Sequence, residues 1–190
     1  MNSIRLRELG QGTFRDPAPF LRRLRLLQDH LAEMPMDPQV RQLRTNRLKG
    51  WRESRVAALF CHGMGKRLGH TVYLSRGESQ DCDFVASWME GDLQQIAPVQ
   101  LKEVVPTTMN AKSDVDSVIA SLEKYADSAD LSVVLHLNQQ IRFEPARLRV
   151  PSLRLASLWV LGCTSPDGSE WGLWGNYFED LEQTRFVYPV

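Results

Sequence analysis

Two stretches in the C-terminal half, LSVVLHLN at 131–138 and SLWVLGCT at 157–164, are apolar at nearly every position. A strand with one wet face alternates apolar and polar residues with period two, so a run without alternation belongs to a strand covered on both faces. The first run follows DVDSVIASLEKY at 114–125, whose Val115, Val118, Ile119 and Leu122 fall on one side of a helix. A buried strand reached through a helix is the pattern of a parallel crossover. The chain is therefore expected to be an α/β protein built around a mixed sheet flanked by helices.

The segments before this point fit that frame. Asp16-Pro17 is a cap followed by a proline at the first helical position, and Phe20, Leu21, Leu24, Leu27, Leu31 and Met34 recur at helical steps, predicting a helix over 17–34. Residues 1–15 read as a polar arm. A second helical stretch starts at Pro38 and carries Val40, Leu43, Arg44, Arg47 and Leu48, with Gly50 a weak point. A third runs from Trp51 until Gly63, Gly65 and Gly69 stop it. The period then changes to two. HTVYLS (70–75), DCDFVASW (81–88) and APVQLKEVV (97–105) read as strands, with EGDLQQ (90–95) as a hairpin connection. After the last buried strand come the turn SPDGS, the aromatic segment EWGLWGNYF and a polar tail. This predicts an N-terminal helical extension over 1–49 and an α/β domain over 50–190, with room for one ordinary core.

The 23 basic and 23 acidic residues cancel, but unevenly. Residues 1–70 hold 14 Lys/Arg against 6 Asp/Glu, and residues 71–190 hold 9 against 17. A basic N-terminal surface could face phosphates, or the two halves could neutralise each other within the fold. Cys61, Cys82 and Cys163 are too scattered for a disulfide framework or a zinc knuckle. The start, MNSIRLRELG, lacks the apolar core of a signal peptide, and no run reaches the roughly 18 apolar residues of a membrane span. A cytoplasmic protein without membrane contact is the expectation.

Polar residues inside the apolar strands are what point to chemistry. Asp83 lies in one strand; Gln100 and Lys102, two apart, share a face of the next, while Leu101 and Glu103 point the other way. Buried charge costs several kcal/mol unless it is paired or bound to a metal, so these groups need either each other or a ligand. A plain Asp83–Lys102 ion pair is one answer. Asp81, two residues earlier on the same face, is an alternative to Asp83.

With Glu53 on the preceding helix, Asp83 in the second strand and Gln100-Leu101-Lys102 in the third, the chain resembles the PD-(D/E)XK nuclease superfamily over residues 50–138. The resemblance implies a restriction-endonuclease-like αβββαβ core and a metal-dependent nuclease that hydrolyses the phosphodiester bonds of DNA or RNA. Under it, Asp83, Glu53 and the carbonyl of Leu101 hold Mg²⁺ or Mn²⁺, and Lys102 orients the attacking water. Gln100 stands where the family places Asp or Glu, and a neutral oxygen there weakens metal affinity. The alternative implication is a nuclease-like fold that binds nucleic acid or protein without cleaving. Glu53 is equally readable as a solvated helix residue making i,i+4 contacts.

The basic residues Arg44, Arg47, Lys66 and Arg67 are the candidates for gripping nucleic acid, with DNA expected before RNA; Arg142, Arg147, Arg149 and Arg154 form a sparser basic stretch. CHGMGKRLG (61–69) lacks the frame of a phosphate loop, with Arg67 where a hydroxyl should stand, so glycine termination of a helix explains it better. His62, His70 and His136 read as surface, capping or buried structural residues. Trp171, Trp174, Tyr177 and Phe178 could stack on bases, but such clusters more often close a sheet or a homodimer interface.

Overall fold

The computed structural model describes residues 3–35, 37, 40, 45–76, 82–125, 127–139, 141–179 and 181–190. Seven strands form one mixed sheet whose spatial order follows the chain: β1 (Tyr73–Ser75), β2 (Phe84–Glu90), β3 (Leu93–Val104), β4 (Ser132–Leu137), β5 (Ser157–Cys163), β6 (Glu170–Gly175) and β7 (Glu182–Val187). The pairs β3–β4 and β4–β5 are parallel, and every other neighbouring pair is antiparallel. All of β4 and all but the last residue of β5 are buried, as their largely apolar sequences require, with Ser132, His136 and Ser157 enclosed among the apolar side chains.

Helices α1 (Ser3–Gly10), α2 (Pro17–Ala32), α3 (Lys49–Leu68) and α4 (Val115–Ala120) flank the sheet. On one face Leu21 of α2 and Val56, Ala57 and Phe60 of α3 pack on Phe84, Val99 and Val134. On the other, Ile119 and Leu122 pack on Val85, Val104 and Val133, and the irregular 139–157 segment completes the cover with Leu148, Val150, Leu153 and Leu155. Asp114 caps α4, its side chain accepting from Ser117 N while the Ser117 hydroxyl accepts from Asp114 N. These bonds from Ser117 hold the Asp114 carboxyl below the usual carboxylate range.

Four sequence expectations change. Residues 3–10 form α1 rather than a free arm. The Gly91-Asp92 turn directly joins Glu90 to Leu93, so both hairpin strands run through what reads as a polar connection. Gly91 has φ of 59°, the left-handed geometry such a turn needs at its first position. The polar tail supplies edge strand β7. Finally, α3 continues past Gly63 and Gly65 to a left-handed cap at Gly69, φ 75°. A Cβ on Gly63 would sit 2.6 Å from the Phe186 ring, and one on Gly65 2.9 Å from the His70 carbonyl. Those glycines permit close packing instead of ending the helix.

Arg15 exchanges main-chain bonds of 2.8 and 3.0 Å with Leu74 beside β1, and the Tyr188 hydroxyl donates to the Leu21 carbonyl at 3.0 Å. The N-terminal helices therefore share the core of the sheet domain. The helical stretch expected from Pro38, including Arg44, lies largely outside the described residues. No helix among those described is long and apolar enough to cross a membrane.

Candidate active site

β3 outruns β2. Phe84 opposes Val99, whereas β3 continues to Val104 against β4 alone. The main-chain groups of β3 exposed at this fork must find other partners. Asp83 provides them: its amide donates to the Val99 carbonyl at 2.9 Å, and its Oδ2 accepts from the Leu101 amide at 2.6 Å. A carboxylate thus replaces one rung of the ladder. Oδ2 also accepts from Gln100 Nε2, which lies 3.4 Å from the Leu101 carbonyl. One carboxylate, one carboxamide and one main-chain carbonyl meet at a half-exposed point.

Lys102 shares that face. Val99 and Leu101 pack with the α3 cluster and Val104 with the opposite one, so Gln100 and Lys102 project toward the α4 side. The Lys102 ammonium lies 5.1 Å from the centroid of the Tyr125 ring, and that of Lys124 lies 4.9 Å from the same centroid. The Tyr125 side chain beside it holds Lys124 above the ordinary lysine range. Among the described residues no ion pair joins Lys102 to Asp83 or to any other carboxylate, so a simple structural ion pair does not account for the lysine.

Among the described residues no hydrogen bond joins that cluster to Glu53. It sits on α3, which covers the opposite face, and its Oε1 is 3.4 Å from Lys49 Nζ, an i,i+4 pair. Its neighbour Arg52 reaches Glu103 at 3.6 Å, and Asn138 donates to the other Glu103 oxygen. Glu103 therefore belongs to the α3 side, as strand alternation predicts. Asp81 and Arg44 fall outside the described residues.

The remaining basic candidates do not form one surface. Arg47 is exposed in a 3₁₀ turn, Asn46–Leu48, before α3. Lys66 is near the other end of this helix, about 28 Å away at 1.5 Å per residue. There it lines a cleft of about 410 Å³ with Asp16, His62 and His70. Burial, then the Lys66 ammonium, push the His62 imidazole below the ordinary histidine range. Arg67 turns inward, with its side chain 13% exposed. Its Nε donates to Thr184 Oγ1 at 2.8 Å, another nitrogen donates to the Gly175 carbonyl, and the guanidinium lies 4.9 Å from the Trp159 ring centroid. Burial lowers its pKa. Most of the aromatic segment turns inward too: Trp171 is buried against His136 and Trp174 packs edge-on to Phe143, whereas Phe178 is exposed.

Tyr125 and Lys124 are the residues that sequence reasoning missed. Their signal was faint but present, because Val118, Leu122 and Tyr125 continue one helical stripe toward the face that carries Lys102.

Oxygen donors of this kind suit a hard cation such as Mg²⁺, which takes one or two carboxylates and keeps several waters. Were such an ion to bind here, Asp83 would bring the charge, Leu101 a carbonyl, and Gln100 an oxygen once its amide turns over, with water supplying the remaining ligands. Among the described residues no group of three His, Cys, Asp or Glu side chains could hold a metal ion. No protein-family model matches the chain, and no curated protein or solved structure is significantly similar to it.

Proposed function

We propose that this protein is a metal-dependent, nuclease-like phosphodiesterase acting on nucleic acid, with a restriction-endonuclease-like core spanning α3, β1–β3, α4 and β4. The observation that carries this reading is the convergence of Asp83, Gln100 and the Leu101 carbonyl where β2 and β3 part, with Lys102 on the same face. A divalent ion held by these oxygens supplies charge neutralisation at the phosphate and a more acidic bound water. Asp83 supplies the formal negative charge of the donor set and is fixed by the Leu101 amide, so it needs little reorganisation on binding. Gln100 positions Asp83 and can present its own oxygen after rotation. Lys102 brings an ammonium free of carboxylate partners among the described residues, suited to holding the attacking water or a phosphate oxygen.

A second reading, binding without cleavage, is favoured by one observation. Asp83 Oδ2 already accepts two N–H groups, and Glu53 is engaged with Lys49, so the cluster is satisfied without an ion. Incubating the protein with supercoiled plasmid and with single-stranded oligonucleotides separates the two. The first reading expects Mg²⁺- or Mn²⁺-dependent nicking, abolished by chelator. In Lys102→Ala it should fall by about 10²–10³-fold, the usual loss of one group that stabilises developing charge, with an unchanged melting temperature. Salt-sensitive binding without turnover establishes the second.

A further inference from the structure

Lys102 comes from β3 and Lys124 from the 3₁₀ turn Ser121–Tyr125 that follows α4, yet both ammoniums approach one phenol ring. Two like charges beside one ring repel, and the ring quadrupole offsets this only in part. Carboxylates do not relieve the repulsion: among the described residues neither lysine is within ion-pairing distance of one. Asp127 is directed at Arg154, 3.8 Å away, and Asp83 is bound by Gln100 and Leu101. Two cations and a phenol with no carboxylate between them offer a place for an anion, and Lys102 is two residues along β3 from Gln100.

We propose that Lys102, Tyr125 and Lys124 form a phosphate clamp, in which Lys124 is a binding residue that grips a strand phosphate of the nucleic acid. A phosphate offers several acceptor oxygens, enough to take an N–H from each ammonium and the Tyr125 hydroxyl at once. Lys102, shared by the clamp and the Asp83 fork, would place the gripped phosphate against the carboxylate-bearing centre. This inference rests on the nucleic-acid reading above, and it adds the point at which the strand is held.

The test is fluorescence anisotropy with a labelled 20-nucleotide single strand and its duplex, in EDTA to prevent cleavage, between 50 and 200 mM salt. Lys124→Ala should weaken binding about fivefold at low salt and reduce the salt slope by about 0.7–0.9, the value of one phosphate contact. Lys124→Arg should restore both. Unchanged affinity and slope in Lys124→Ala, with the wild type binding, would overturn the clamp and leave the nuclease-like reading standing. If the wild type binds neither oligonucleotide, the nucleic-acid reading fails, and a pyrophosphate titration followed by the lysine Cε signals decides the clamp alone. Shifts at both Lys102 and Lys124 in the wild type, with the Lys102 shift lost in Lys124→Ala, support a phosphate site, and unshifted signals in the wild type or a Lys102 shift that persists in the variant overturn it.

Discussion

If the protein is the metal-dependent nuclease proposed above, Asp83→Asn is expected to reduce metal-dependent cleavage by about a thousandfold or more while the protein stays folded. The side chain has two separable roles. Its Oδ2 serves as an acceptor for the Leu101 amide and Gln100 Nε2, completing the β3 ladder at the fork. Its charge is the only carboxylate contribution in the Asp83, Gln100 and Leu101 donor set. Asparagine keeps an acceptor oxygen of the same shape, so the first role survives, whereas losing the charge removes several kcal/mol of transition-state stabilisation. Asp83→Ala removes both roles. It leaves the Leu101 amide without its partner and costs a further ~1–3 kcal/mol of stability, toward the lower end because the site is half-exposed. Comparing the two variants by cleavage rate and urea denaturation separates chemistry from folding. Equal activity in Asp83→Asn and the wild type would leave the carboxylate a structural cap alone.

Arg67→Ala is expected to lower stability by about 2–4 kcal/mol and, under the nucleic-acid reading, to leave the salt dependence of binding untouched. The guanidinium ties the end of α3 to Thr184 of β7 and the Gly175 carbonyl at the end of β6, and it stacks over Trp159. Hydrogen bonds to a charged group contribute about 1.5–3 kcal/mol each, but these bonds share one side chain and do not add in full. Arg67→Lys keeps the charge, cannot reproduce the planar fork, and should recover only part of the loss. Chemical denaturation of the three proteins measures this directly. A stable Arg67→Ala whose salt slope falls by about one would instead put Arg67 on a nucleic-acid surface, as its place in a basic sequence suggests.

Arg67 also shows where sequence reading stops. Its charge is visible in the sequence, but its direction depends on an acceptor in β7, 117 residues away. The largely apolar sequences of β4 and β5, broken only by Ser132, His136 and Ser157 among polar side chains, pointed to strands covered on both faces, and the helix before β4 pointed to its parallel pairing. β7 was unreadable for the opposite reason: on an edge strand most side chains are solvated, and only Phe186 is buried. Gly63 and Gly65 carry the same residue symbol as a helix stop, and only the Phe186 ring and the His70 carbonyl explain why the helix passes through them.

At the candidate site, period two was sufficient to put Gln100 and Lys102 on one face and Glu103 on the other. Strand register then set Asp83 beside Gln100. Glu53 could not be placed this way, since helical periodicity does not say which sheet face a helix covers. Lys124 and Tyr125 were hidden because their contact with Lys102 joins two elements through the crossover.

The account rests on Asp83, Gln100 and Leu101 together holding a divalent ion, and paramagnetic Mn²⁺ tests this without any assumption about substrate. In ¹⁵N spectra of the full chain, substoichiometric Mn²⁺ should broaden the Gln100 side-chain amide and the Leu101 main-chain amide first, and Asp83→Asn should remove that effect. Full intensity at both signals through several equivalents of Mn²⁺, or first broadening at other carboxylates, would contradict it.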